Sequence, residues 1–209
     1  MGVEGPGTDL SERTRFFAAL RTPVLVSRSR MPSLYVTHLP SSIGELTIAS
    51  SDQGLAYIGL PRANGRGFAG WCKRYASDHV LESDANRNAE KNDAAAVQVT
   101  EFLAGQREVF DLPLDLRGTP FQLGVYRVVA EISYGESLAY GDVACRVGSP
   151  AAVRAVGAAN GANPIPLVIP CHRVVARNGQ LQGYAGGLEL KGKLLAMESA
   201  SHPAQGALF

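Results

Sequence analysis

Cys171 and His172 stand side by side, and they are the pair in this chain best equipped for covalent chemistry. Thiolate is the nucleophilic form of cysteine, and a nearby imidazole can take the thiol proton. In an extended segment the two side chains point to opposite sides, which makes a direct bond awkward. The pair can cooperate if the chain turns and a water bridges it. His172 also needs an acceptor on its far ring nitrogen, and Glu198, which ends an otherwise apolar helical face, is the candidate. With Glu198 balancing its charge, His172 could take the proton and leave Cys171 as a thiolate. Taken alone, the pair reads first as an inert thiol beside a hydrogen-bonded imidazole; the segment around it changes that reading.

The elements that must position the pair follow from local patterns. Pro170 to Val175 continues an apolar run, Ile165–Ile169. Asn178-Gly179 marks a hairpin or tight loop across 173–184. Gly183-Tyr184-Ala185-Gly186-Gly187 is a glycine-rich loop in which backbone can come close to a ligand. Leu188–Glu198 reads as a helix. Upstream, Thr119-Pro120 is a cap and first-turn proline, followed by Phe121, Val125, Val128 and Ile132 at helical spacing. Tyr140–Val147 is a short helix ended by Gly148. A third helix holds Pro150 in its first turn and runs to about Ala159. Helices joined through Gly148 and Ser149 fit a helix-turn-helix or an ordinary helical hairpin. The third helix is nearly bare: Ala151, Ala152, Ala155, Gly157, Ala158 and Ala159 leave Arg154 as its one long side chain. Such a helix suits close packing on another helix, or close approach to a nucleic-acid groove.

The first half is read as a β-meander over 34–60, with strands Leu34–His38, Glu45–Ser50 and Leu55–Leu60. A short helix is placed around Trp71–Ala76. Asp93 is read as the cap of a helix that Gly105 stops. The resulting fold class is α+β: a small N-terminal β-meander/α domain over 34–116, then a mostly helical domain over 117–198. Residues 1–33 read as a disordered extension and 199–209 as a tail.

The segment Asn160-Gly161, Asn163-Pro164, Pro170-Cys171-His172-Arg173-Val174, Gly183-Tyr184-Ala185-Gly186-Gly187, Leu194-Leu195 and Glu198 closely resembles the O6-alkylguanine-DNA alkyltransferase family. Tyr134-Gly135-Glu136, Tyr140-Gly141 and Arg154-Ala155-Val156-Gly157 fit as well. The likeness is dense over 119–198 and loose over 34–116. It implies a ribonuclease H-like first domain and a helix-turn-helix that enters the minor groove of double-stranded DNA. It implies direct repair: one irreversible transfer of an alkyl group from O6-alkylguanine, and from O4-alkylthymine, to Cys171 after the base is flipped out. His172 and Glu198 match a water-bridged proton relay, and Asn163 a brace on the active-site turn. Arg154 matches an arginine finger, and Tyr140 a tyrosine that crowds the 3′ phosphate and can donate to the base. Gly141, Ser149 and Arg177 join them as DNA-contacting positions. Carbonyls at Cys171 and Val174 would accept the exocyclic amine, the Ala185 N–H would face O6, and Tyr184 would wall the pocket. Tyr126 stands where many members carry tryptophan and is read as core. A non-catalytic alkylated-DNA-binding protein of the same fold is the alternative; a cysteine hydrolase of another fold would need an oxyanion site and a distant histidine for which no context is visible.

Composition bounds these readings without choosing among them. Apolar residues make up 45%, ordinary for a globular chain. No apolar run approaches the roughly 18 residues needed to span a bilayer. Net charge is +1, which does not advertise nucleic-acid binding. The three cysteines, Cys72, Cys145 and Cys171, are too few and too scattered for a disulfide framework. His38, His79 and Cys72 show no ligand spacing, so neither metal nor cofactor is assigned. A cytoplasmic monomer is expected, nuclear in a eukaryote.

Overall fold

The protein is described by a computed structural model that covers residues 31–62 and 67–201. Nearly all of the 1–33 extension, and the tail beyond Ser201, lie outside the described residues. Strands β1 (Ser33–Leu39), β2 (Leu46–Ser51) and β3 (Gly54–Gly59) form the antiparallel meander. A strand not foreseen from sequence, β4 (Val80–Leu81), adds to β1 in parallel, giving the order β3-β2-β1-β4. It is too short to show alternation. Helix α1 (Gly67–Tyr75) packs Trp71 against Tyr57 of β3.

Helix α2 (Ala85–Leu103) starts well before the position expected for it. Asp84 is the cap, accepting from the amides of Asn86 and Arg87, while Asp93 lies within the helix. The first two turns are polar, so they show no apolar period. They are held instead by amide side chains: Asn88 accepts from Val36 N, and buried Asn92 donates to Tyr35 O and Thr37 Oγ1. The later turns bury Ala95, Val99 and Phe102 against the sheet. Gly105, at φ +71°, ends the helix region.

Segment 111–119 runs along β3 rather than free of it. Leu55 N donates to Pro113 O, and Asp115 N to Leu55 O. Gly54 makes this approach possible. Its φ is +140°, and an added Cβ would sit 2.2 Å from Pro113 O. One buried cluster joins Ile48, Ile58 and Phe102 with Val125, Val129, Ile165 and Ile169, so the core runs through both halves of the chain.

Helix α3 (Pro120–Ala130) opens with a full capping box between Thr119 and Gln122. Tyr126 is buried in it and donates to Ala162 O. Strand β5 (Leu138–Ala139) leads directly into α4 (Tyr140–Arg146). Helix α4 ends in a Schellman turn: Gly148 N donates to Cys145 O and Ser149 N to Ala144 O, with Gly148 at φ +77°. Helix α5 (Val153–Gly161) begins later than the sequence reading placed it. Ser149 O accepts from Ala152 N, closing a separate turn around Pro150 first. Helix α5 then buries Val156, Ala159 and Asn160 and packs on α3 and α4. Its other face leaves Val153, Arg154, Ala155 and Ala158 exposed. A helical turn at Cys171–Arg173 leads into β6 (Val174–Val175), which pairs in parallel with β5. Helix α6 (Leu188–Ser201) closes the described chain, running past the Glu198 end assigned from sequence.

Candidate active site

Cys171 opens the helical turn, so the chain does bend at the Cys-His pair. Three asparagine bonds fix that bend. Asn163 Nδ2 donates to Ile169 O at 2.7 Å, its Oδ1 accepts from Ile165 N, and Asn160 Nδ2 donates to Cys171 O at 3.1 Å. Leu167, between them, is buried at φ +74°. A leucine held there is strained, and the surrounding bonds must over-determine it. Asn160 belongs to the quoted motif, yet sequence gave it no role.

Below the turn lies a buried charge cluster. His172 Nε2 and Glu198 Oε1 are 2.7 Å apart, both side chains fully buried. Arg173 grips the same carboxylate in two bonds, Nε to Oε2 at 2.8 Å and Nη2 to Oε1 at 3.0 Å, and Gly135 N donates to Oε2 at 3.1 Å. Four donors therefore saturate Glu198. Burial pushes its carboxyl up, but the His172 bond and the Arg173 charge outweigh burial and hold it down at about 2. Burial lowers His172 more than Glu198 raises it, so the imidazole rests neutral. A neutral ring bonded to a carboxylate donates Nε2–H, which leaves the lone pair on Nδ1. That nitrogen is buried and has no hydrogen-bond partner among the described residues. It is the basic atom free to receive a proton.

Sequence reading made Cys171 a thiolate. The structure corrects this. The thiol is buried, and burial pushes it up to about 11, with Asn163 and the Lys191 charge offsetting only part. At neutral pH roughly one molecule in ten thousand would carry the thiolate. At rest Cys171 is therefore a thiol.

The walls come from other elements. Tyr184 is buried with its ring edge-on to His172, centroids 6.4 Å apart. Ala185 follows it, half-buried, in a turn. Val174 is buried, but its carbonyl already accepts from Lys191 Nζ at 2.6 Å. The Cys171 carbonyl holds Asn160, so each proposed amine acceptor has one donor before any base arrives. The Tyr140 hydroxyl shares its one proton between Gln182 O at 3.0 Å and Gly183 O at 3.2 Å.

Cys171, His172, Glu198, Asn163, Val174 and Tyr184 are thus brought together, with Tyr140 at the rim. Gly141, Ser149, Arg154 and Arg177 lie apart, on α4, the turn after it, α5 and the 176–180 loop. Arg177 approaches Asp142 at 3.6 Å and lies beside Gly141 on α4. Arg154 is exposed and forms no ion pair among the described residues. Arg173 and Lys191 were missed as site residues. The signal for Lys191 was its place on the Leu194, Leu195 and Glu198 face of α6, a charge on a buried stripe. No group of three or more His, Cys, Asp or Glu among the described residues could hold a metal.

Residues 120–200, from α3 to α6, match the family described as 6-O-methylguanine DNA methyltransferase, DNA binding domain. An inducible methylated-DNA–protein-cysteine methyltransferase of Bacillus subtilis is 40% identical over 168 residues, which is 80% of this chain and 91% of the relative. The chain belongs to the methylated-DNA–protein-cysteine methyltransferase family. A relative with the same family name, from Mycolicibacterium paratuberculosis, is 50% identical over 55% of this chain and 70% of its own. The solved O6-methylguanine methyltransferase of Mycobacterium tuberculosis overlays with a TM-score of 0.67 at 35% identity, covering 82% of this chain and 96% of that one. A second structure from that organism, OGT in complex with DNA, gives 0.66 at 35% identity, over 85% and 99%. The methyltransferase family thus covers both halves of the chain, the small sheet as well as the helices. Among the described residues no helix is long and apolar enough to cross a membrane.

Proposed function

We propose that this protein repairs alkylated DNA by taking the alkyl group onto Cys171, once per molecule. The observation that carries the reading is the chain Cys171, free His172 Nδ1, Glu198: a buried thiol beside a neutral imidazole whose far nitrogen is fixed by a saturated carboxylate. The thiol proton passes to Nδ1 through a bridging water, and Glu198 stabilises the cation that forms. Cys171 Sγ attacks the alkyl carbon in line, the carbon–oxygen bond breaks, and its electron pair returns to O6. His172 then gives its proton to the purine. Unmodified guanine leaves, and Cys171 remains as a thioether. A thioether is a poor leaving group, so the protein does not turn over.

The substrate is O6-alkylguanine in double-stranded DNA, with O4-alkylthymine as the related base. A base inside the duplex cannot reach a buried thiol, so it must be extruded. The α4–α5 pair acts as a helix-turn-helix. Its bare α5 face suits the minor groove, and Arg154 fills the stack. Gly141, Ser149 and Arg177 are the further DNA-contacting positions of this reading, and Tyr140 joins them to the pocket. The protein works as a cytoplasmic monomer.

Intact-mass spectrometry after incubation with a duplex containing O6-methylguanine tests the reading. One methyl in place of one hydrogen, mapped to Cys171, supports it. Duplex binding with Cys171 left unmodified would instead mean a protein that only binds the lesion.

Arg154→Ala tests the finger. We expect repair of duplex DNA to slow by about tenfold or more, roughly what one filled stacking position is worth. Transfer from free O6-benzylguanine base should change less than twofold. Equal losses on both substrates would rule the finger out.

A further inference from the structure

Lys191 is fully buried in α6, and among the described residues no carboxylate forms an ion pair with it. An ammonium without a counter-ion is an expensive thing to bury, and an apolar side chain would pack there at lower cost. Its partners show what it does instead. Nζ donates to Val174 O and to Gln182 O, each at 2.6 Å. It lies 5.6 Å from the centre of the Tyr140 ring. The Tyr140 hydroxyl donates to the same Gln182 carbonyl and to Gly183 O.

Three separate stretches of chain therefore meet on one charged nitrogen. Val174 continues from the Cys171 turn, Gln182 leads into Tyr184, and Tyr140 begins α4. Lys191 donates to Gln182 O, and Tyr140 shares its one hydroxyl proton between Gln182 O and Gly183 O, which fixes the orientation of the loop just before Tyr184. Gly183 accommodates the bend, at φ +45°. An anionic Cys171 would raise both Tyr140 and Tyr184, so both rings are within electrostatic reach of the sulfur.

We propose that Lys191 is a positioning residue for alkyl transfer: its ammonium ties the Gln182–Tyr184 loop, the Val174 carbonyl and Tyr140 into one frame around Cys171. The inference rests on the function proposed above and assigns that pocket a residue that lies outside the relay and meets the DNA-facing surface only through the ring of Tyr140. A frame of this kind acts on any substrate that enters, whether as free base or flipped from a duplex. Arg154 differs from it in that respect.

Single-turnover alkylation separates positioning from folding, because each molecule reacts once. The final amplitude counts competent molecules, and the rate constant reports their geometry. The protein, K191M and K191R are each followed on free O6-benzylguanine and on duplex O6-methylguanine, with duplex affinity measured alongside. We expect K191M to reach full amplitude with unchanged DNA affinity and a rate constant lower by about tenfold or more on both substrates. K191R keeps a cation and donors, and should return to within about threefold of the parent. K191Q carries the same expectation as K191M and is read in its place if K191M does not fold. A parental rate constant in K191M overturns the proposal, as does reduced amplitude with a parental rate in the remaining fraction. Failure of both neutral variants to fold overturns it too, in favour of a purely structural lysine. A parent protein that takes up no alkyl group from either substrate sinks the proposed function along with this role. A slow K191M beside an active parent supports both.

Discussion

Exchanging Cys171 for alanine is expected to abolish alkyl uptake altogether, with duplex affinity within about twofold of the parent protein. The loss is absolute because the group that forms the new bond is gone. Neither other cysteine can replace it. Cys145 is exposed on α4, and Cys72 is half-buried on α1; neither shares the asparagine-braced turn or a base such as His172. Affinity should persist because the exposed residues of α4 and α5 are untouched. Removing one buried sulfur leaves a small cavity, at about 1 kcal/mol, well within the roughly 5–15 kcal/mol of a typical fold. The check is paired: intact mass after incubation with duplex O6-methylguanine, and a fluorescence titration with the same duplex. A methyl gain in C171A would move the chemistry to another residue. A large drop in affinity would mean that the turn shapes the DNA surface as well.

How far the site could be read from sequence depended on the kind of contact involved. The three meander strands were visible because alternation and turn residues are local signals, and α3 because its cap and apolar period agree. Helix α2 was placed late because its first turns are tied to β1 by Asn88 and Asn92, and amide bonds between distant segments leave no period. Helix α5 was placed early because proline suits a first helical turn, whereas here Ser149 to Ala152 close a turn of their own. The Pro-Cys-His-Arg run pointed to the pocket. The charges that organise it came from 25 residues away or more, as in the Arg173–Glu198 pair, and only packing shows that pairing. Lys191 was passed over because a lysine in a helix is ordinarily a solvated surface charge.

The thiol is where sequence and structure part most usefully. A neighbouring histidine suggests a ready-made thiolate, but the surroundings of Cys171 are mainly apolar, and burial governs. A resting thiol is protected from indiscriminate oxidation or alkylation, since both need the anion. In the proposed mechanism, reactivity then depends on how well His172 can accept a proton at the moment of attack. That property would be set by Glu198, whose carboxylate is bonded to the far ring nitrogen.

Glu198→Gln should therefore damage stability and rate together. The amide keeps the shape but removes the charge, and it turns one acceptor into a donor facing Arg173 or His172. A buried cation stripped of its partner costs about 3–5 kcal/mol. For a chain of this length that corresponds to a fall in Tm on the order of 10 °C. The rate constant for transfer should drop by about a hundredfold, because His172 loses both the acceptor that fixes its tautomer and the charge that stabilises its cation. The stability difference should also depend on pH in a defined direction. Glu198 is held at about 2 when folded and returns to its ordinary 4.5 on unfolding. Its stabilisation is thus complete above pH 4.5 and is lost as pH falls toward 2. His172 is lowered by burial, so its unfolded form takes up a proton first and adds to the loss in acid below its ordinary 6.5. Urea unfolding of parent and E198Q at pH 7, 5, 4 and 3 should show the gap between them narrowing over the last two steps. A gap that stays constant down to pH 3 would mean that the fold does not hold the Glu198 carboxyl below its ordinary 4.5. The four donors around it would then give its anion no advantage, and the relay would lose the stabilised carboxylate on which it depends.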